Sequence, residues 1–89
     1  MRKVYLVDGF EFEDIAGAAY QICDSALDDN EIDLFRFIEE KWPAEYSKAK
    51  NLAYKDNNGS ISLSHITDCI RPEDGDEFLL NLQEYVDSI

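Results

Sequence analysis

The sequence is poor in basic residues and has no long apolar run. Its 89 residues contain eight Lys and Arg against twenty Asp and Glu, which gives a net charge of −12. A surface this acidic repels nucleic-acid phosphates and anionic lipids, so we expect no direct binding to nucleic acid or to a membrane surface. No apolar run approaches the roughly 18–20 residues that span a bilayer, so we also expect no transmembrane segment.

The sequence also contains only two cysteines. Cys23 and Cys69 lie far apart and form no CxxC motif. The segment that begins Met1-Arg2 has only four apolar residues before Asp8, which is too few for a secretory signal. We therefore predict a cytoplasmic protein with two reduced thiols in its core. A single disulfide between them is the alternative.

The sequence also lacks the usual elements of a catalytic or cofactor site. It has one histidine, His65, no glycine-rich phosphate loop and no cluster of metal-ligand residues. His65 and Cys69 would share a helix face, but nothing near them suggests a reactive pair, and we interpret His65 as a surface residue of a capped turn. Pairs of carboxylates carry no information when twenty acids are present. We predict neither an enzyme nor a cofactor-binding protein.

The apolar content is sufficient for one packed domain over residues 1–89, since 45% of the residues are hydrophobic and 12% are aromatic. Residues 3–7 are rich in β-branched and aromatic side chains and predict a strand. Asp8-Gly9 is a turn signal, after which residues 10–12 either form a second strand or lead into a helix.

Apolar residues recur at helical spacing in the part of the chain that follows the N-terminal strand. An apolar stripe predicts a first helix with the core positions Phe12, Ile15, Ala16, Ala19, Ile22, Cys23 and Ala26. Asp29 or Asn30 can cap a second helix, which Pro43 limits. Pro43 then suits the first turn of a third helix that reaches about Leu52.

The second half of the chain contains three local signals. Asn58-Gly59 between alternating segments predicts a second hairpin. Ser64 is a candidate cap for a short helical turn, and Asp74 with Glu77 predicts a capping box at the start of the last helix. The predicted fold is a small α+β domain, with about four helices packed on a short antiparallel sheet of two or three strands.

The charges are distributed in blocks. Nine acidic residues lie between Asp8 and Asp33 with no base among them, and eight acidic residues from Asp56 onward accompany a single base, Arg71. Residues 36–55 between these blocks are slightly basic. We interpret the densest parts of the acidic blocks as the partner-binding residues, and these are Asp24, Asp28, Asp29, Glu31, Asp33, Glu73, Asp74, Asp76 and Glu77.

These acidic groups suggest a binding function. If they fold into one surface, their carboxylates imitate a row of DNA phosphates and attract a basic groove that normally binds DNA. The predicted partner is a basic protein, namely a nucleic-acid-binding enzyme or complex. In size, charge and expected location the chain resembles the small acidic inhibitors that phages and mobile elements use against host nucleases, such as anti-CRISPR and anti-restriction proteins.

Other functions fit the same sequence. An immunity protein or antitoxin would cover a basic toxin by the same physics. Asp24-Ser25-Ala26-Leu27 resembles the Asp-Ser-Leu site of acyl carrier proteins, which implies a carrier or adaptor domain with Ser25 as the attachment site. The charge also improves solubility without any partner. Monomer and dimer both remain open, because Phe10, Phe37 and Leu80 fall outside the apolar stripes.

Overall fold

The computed structural model describes residues 3–89 of the chain. Met1 and Arg2 lie outside the described residues. They are the first two residues of the segment that is too short in apolar residues for a secretory signal. The described part forms a two-stranded sheet, five α-helices and one 3-10 turn. The elements are β1 Tyr5–Val7, β2 Phe10–Phe12, α1 Ile15–Asp29, α2 Glu31–Lys41, α3 Pro43–Asp56, α4 Leu63–Asp68, the turn Pro72–Asp74, and α5 Gly75–Ser88.

The two strands form an N-terminal hairpin, which is one of the two alternatives that the sequence left open for residues 10–12. β1 pairs with β2 in antiparallel register, with Val7 opposite Phe10 and Tyr5 opposite Phe12. Asp8 and Gly9 form the two-residue turn with φ values of 52° and 84°, which is the left-handed geometry that matches the twist of a tight hairpin. Strand alternation buries Tyr5 and Val7, whereas Leu6 between them is exposed.

Helix α1 is the centre of the packing. Asp14 begins it by accepting a hydrogen bond from the backbone N–H of Gly17 at 2.7 Å. Helices α4 and α5 and both strands pack against α1. The residues that α1 buries are small apart from the first, and they are Ile15, Ala18, Ala19, Cys23 and Ala26. Small side chains bring the neighbouring elements close to the backbone of α1.

Helices α1 and α5 run side by side in the same direction. A Cβ at Gly75, the first residue of α5, would lie 3.1 Å from Cδ1 of Ile15, the first residue of α1. Ile22 lies two turns after Ile15 and Leu79 lies one turn after Gly75, and both line one groove. The first turns of the two helices therefore meet at one end of the domain, and their last turns lie at the other.

A single residue connects α1 to α2, and a single residue connects α2 to α3. Asn30 ends α1 and begins α2, while Trp42 ends α2 and precedes Pro43 at the start of α3. The Trp42 indole donates a hydrogen bond to the side-chain oxygen of Asn81 at 3.0 Å, and its ring contacts Phe78 edge-on at 5.6 Å between centroids. Trp42 thereby attaches the α2–α3 joint to α5.

The prediction of a second hairpin is wrong. Helix α3 continues past Leu52 to Asp56, and residues 60–62 form no strand. Asn58 and Gly59 have the positive φ values that a hairpin turn would need, at 54° and 87°, but they terminate a helix instead. The Ala53 carbonyl accepts hydrogen bonds from the backbone N–H groups of Asn57 and Gly59 at 2.8 and 2.9 Å. A tight hairpin turn and a helix C-terminus both need residues with left-handed backbone geometry. The Asn58-Gly59 sequence is therefore compatible with either structure.

Two predicted caps also differ from the structure. The residue that caps α4 is Ser62 rather than Ser64. Asp74 precedes α5 but forms no capping bond, because its carboxylate instead accepts a hydrogen bond from Nε of Arg71 at 3.2 Å and forms an ion pair with Nη2 of the same residue, also at 3.2 Å. These corrections leave the fold class intact. The α+β class is confirmed, with five helices and a two-stranded antiparallel sheet over residues 3–89.

We expect Gly75→Ala to destabilise the protein, although alanine is the better helix former by about 1 kcal/mol. The added methyl group would lie 2.7 Å from the Tyr5 hydroxyl oxygen and 2.9 Å from Tyr5 Cε1, so the buried ring would have to move. Urea unfolding followed by Trp42 fluorescence measures the change. Ser47→Ala, on the exposed face of α3, is the control and should be nearly neutral. Equal stability of both variants would contradict the close approach of β1 and α5.

Candidate functional site

The first group of predicted site residues forms a corner between α1 and α2. We call it the acidic corner, and it consists of Asp24, Asp28, Asp29, Glu31 and Asp33. All five side chains are exposed. Residues 27–33 line a shallow depression of about 650 Å³ at this corner. Ile32, in the middle of the carboxylates, is 74% exposed.

The charges at the end of α1 oppose the helix dipole. Asp28 and Asp29 occupy the last turn of α1, where the helix has its negative end, and no basic residue lies in that turn. Asp24 precedes Asp28 by four residues on the same helix face, so these two carboxylates repel each other. Within residues 3–89 none of the three forms an ion pair, and the nearest cation of the corner is Arg36, 4.0 Å from Asp33.

The other two acids of the corner have a local structural role. Glu31 and Asp33 lie in the first turn of α2, where negative charge is favourable. Asp33 also pairs with Arg36. Folding therefore accounts for these two residues, but it does not account for Asp24, Asp28 and Asp29.

The second predicted group lies at the start of α5. We call it the α5 acidic turn, and it consists of Glu73, Asp74, Asp76 and Glu77. Its charges are largely compensated. Arg71 contacts Glu73 at 3.3 Å and Asp74 at 3.2 Å, and Lys3 contacts Asp76 at 3.1 Å. Asp76 and Glu77 also lie at the positive end of α5.

The two acidic groups lie at opposite ends of the α1–α5 pair. The start of α5 lies beside Ile15, and Asp28 is thirteen residues further along α1, which corresponds to about 20 Å at 1.5 Å per residue. Burial, together with the nearby carboxylate of Asp33, raises the pKa of Tyr85 in the last turns of α5. The acidic corner is thus beside the end of α5, and the structure does not bring the nine predicted residues into one cluster.

Sequence reasoning missed a further acidic depression. Lys3, Tyr5, the start of α1, the end of α4 and Pro72 line a space of about 660 Å³. Glu13, Asp14 and Asp68 contribute carboxylates to it. Asp14 already caps α1, so part of this charge has a structural role. Asp68 is 54 residues away from Asp14 in the chain, and no local pattern indicates that they meet.

His65 is buried, so its interpretation as a surface residue is wrong. Its Nδ1 accepts a hydrogen bond from the Ser62 backbone N–H at 3.0 Å and lies 2.9 Å from the Ser62 hydroxyl. Its Nε2 lies 2.8 Å from a carboxylate oxygen of Asp56. The order Ser, His, Asp is that of a catalytic relay, but the backbone N–H occupies the Nδ1 lone pair that would act as the base. The geometry is that of a helix cap that also fastens α4 to the end of α3.

Ser25, the attachment site of the carrier alternative, is exposed on α1. It lies four residues before the end of the helix, whereas the carrier resemblance requires a serine at a helix start. The carrier function stays an untested prediction.

Both cysteines are free thiols. Burial raises the pKa of the Cys23 thiol to about 12. Cys69 is half-buried, and burial together with the carboxylate of Asp68 raises the pKa of its thiol as well. Neither thiol has the depressed pKa that marks a reactive cysteine.

Within residues 3–89 we find no group of three or more His, Cys, Asp or Glu side chains that could hold a metal ion. None of the helices described is long and apolar enough to cross a membrane. Comparison of the chain with protein-family models, curated proteins and solved structures gives no match. The functional assignment therefore depends on the geometry and charge of the chain itself.

We expect Asp28→Asn and Asp29→Asn each to raise the free energy of unfolding, by about 0.3–1 kcal/mol at low ionic strength. Each change removes a negative charge from the negative end of α1. Asp76→Asn is the matched control and should lower the stability, because it removes a charge from the positive end of α5 and the contact with Lys3. Urea unfolding at low and at high salt checks this. Destabilisation by the Asp28 and Asp29 changes would show that the corner acids stabilise the fold.

We expect the stability to fall as the pH rises from 9.0 toward about 12, because the Cys23 thiol keeps its proton over that range only in the folded state. The unfolded thiol loses its proton first, so one titrating group lowers the free energy of unfolding by about 1.4 kcal/mol per pH unit. Cys69→Ala and the double variant Cys23→Ala/Cys69→Ala are compared by urea unfolding at several pH values. An equal slope in both would show that Cys23 does not contribute.

Proposed function

We propose that the chain is a protein-binding inhibitor whose acidic corner binds a basic, nucleic-acid-binding enzyme or complex. The observation that carries the proposal is the position of Asp28 and Asp29. Folding disfavours carboxylates at the negative end of a helix, yet two lie there with Asp24 beside them and no described cation pairs with them. A charge arrangement that destabilises the free protein is expected where a partner supplies the missing cations.

Binding to a basic groove would relieve this repulsion. Lysines and arginines of the partner would neutralise the corner, and the long-range attraction between oppositely charged surfaces would speed the encounter. A groove built for DNA has the required charge, because it normally neutralises a row of phosphates. Such an interaction weakens as salt is added.

The two acidic groups lie at opposite ends of the α1–α5 pair, so the proposal does not require them to act as one continuous row of phosphate-like charges. In this proposal the acidic corner is the main contact. The α5 acidic turn, whose carboxylates already have Arg71 and Lys3 as partners, contributes less. Inhibitors of the anti-CRISPR and anti-restriction kind act in this way on host enzymes.

Ile32 favours a protein as the partner, whether that partner is a nuclease or a toxin. An exposed aliphatic side chain among five carboxylates adds apolar contact area that a small cation would not use. The immunity or antitoxin alternative uses the same surface and differs in the identity of the basic partner. The cytoplasmic location expected from the sequence is part of this proposal.

The test is a pull-down of the tagged protein from nuclease-treated bacterial lysate, eluted with a salt gradient and identified by mass spectrometry. We expect a basic nucleic-acid-binding protein that elutes with salt and is displaced by added duplex DNA. Recovery of a secreted or plasmid-encoded toxin that DNA does not displace would support the immunity alternative. Recovery of no basic protein across the gradient would overturn the proposal.

Charge-neutralising variants show which surface of the protein binds the partner. Asp24→Asn/Asp28→Asn/Asp29→Asn should weaken capture by about tenfold or more while it stabilises the free protein. Glu40→Gln/Glu73→Gln/Glu77→Gln removes the same number of exposed charges outside the acidic corner and is the matched control, which should weaken capture much less. Equal losses in both variants would indicate that net charge, and not the acidic corner, determines binding.

A further inference from the structure

A narrow groove separates β1 from α5, and we call it the β1–α5 groove. It has a volume of about 280 Å³, and its lining consists of residues 5–8, Ile22 of α1, and Asp76, Leu79, Leu80 and Gln83 of α5. Successive residues of a strand point to opposite faces of the sheet. Because four successive residues line the groove, it borders the edge of β1 and not one of its faces.

Within residues 3–89 this edge of β1 has no strand partner. The sheet formed by residues 3–89 contains β1 and β2 alone, and β2 pairs with the opposite edge. Val7 and Phe10 flank the two-residue turn and form a hydrogen-bonded pair, so Leu6 is in a non-hydrogen-bonded pair with Glu11. The backbone N–H and C=O of Leu6 therefore point away from β2, toward the groove.

The groove combines exposed apolar walls with acidic ends. Leu6 is 72% exposed and Leu80 is 58% exposed. Asp8 follows β1 at one end, and Asp76 lies at the other end beside Lys3. Residues 3–8 span about 17 Å if extended, so the edge between the two carboxylates accommodates about five residues of a partner strand.

We propose that the β1–α5 groove binds an extended basic segment of the partner protein, which adds to β1 as a third strand. The segment bonds to the backbone of Leu6, places apolar side chains against Leu6 and Leu80, and directs Lys or Arg side chains to Asp8 and Asp76. The basic character of the segment rests on the proposed function. A second copy of the chain is disfavoured, because each copy carries a net charge of −12.

The groove can be tested with a peptide, without a known partner. The probe is an end-blocked peptide of about six residues that alternates lysine and valine, matched to the length of the edge. The full chain, labelled with ¹⁵N, is titrated with this peptide and followed by amide NMR. We expect chemical-shift changes at Leu6, Val7 and Leu80. A lysine–serine peptide of the same length and charge should bind at least about tenfold more weakly, because it lacks the apolar side chains.

Two matched variants locate the binding. Leu80→Arg places a positive charge in the groove and should weaken the lysine–valine peptide by about tenfold or more. Leu52→Arg makes a similar change at an exposed aliphatic residue of α3, outside both the groove and the acidic corner, and should leave peptide affinity within about twofold. The amide spectrum of each free variant confirms that it is folded.

Several results would overturn the groove proposal. These are equal binding of both peptides, shift changes confined to the acidic corner, absence of any change, or groove signals that respond to dilution without peptide, which would indicate a second copy.

The pull-down separates the groove proposal from the proposed function. Capture that is lost with the corner variant but kept by Leu80→Arg supports the proposed function alone. Peptide binding in the groove without a basic protein in the lysate supports the groove alone.

Discussion

The parallel contact between α1 and α5 is the constraint on which the other elements depend. The buried face of α1 that supports it consists mostly of small side chains, and Ala18, Ala19 and Ala26 have almost no exposed surface. A larger residue at these positions would displace one of the elements packed on α1, because interiors packed this tightly leave no space for extra volume. Displacement of α5 would also break the Trp42–Asn81 bond that holds the α2–α3 joint. The same contact separates the two acidic groups.

The sequence predicts those parts of the fold in which one local signal has a single outcome. The apolar stripe specifies α1 from Ile15 to Ala26, although its first predicted member, Phe12, lies in β2. Asp8-Gly9 specifies a turn, but it left residues 10–12 open between a strand and the start of a helix. Asn58-Gly59 has two outcomes, since left-handed residues end helices as well as joining strands. Burial of Ala49 and Ala53 on one face of α3 decides between them, and that burial depends on the packing of α3 with α2 and α4, which no turn signal indicates.

The acidic groups were predictable as exposed charges, but their different roles were not. A count of acids treats Asp28 and Asp76 alike. The distinction requires the helix ends, because Asp28 lies at the negative end of α1 and Asp76 at the positive end of α5. It also requires the long-range contact with Lys3, which comes from the other end of the chain. Charge in the α5 acidic turn assists folding, whereas within the acidic corner the charge of Asp28 and Asp29 opposes it.

The side-by-side arrangement of α1 and α5 also has a consequence for how the chain folds. Residues 15 and 75 meet, so most of the chain must form a closed loop before the core is complete. Closing a loop of this length costs conformational entropy that helix formation alone does not recover. During synthesis, α1 would emerge with its apolar face uncovered until α5 is available. Over that interval the dense negative charge has a second benefit, since like-charged unfinished chains repel one another and aggregate less.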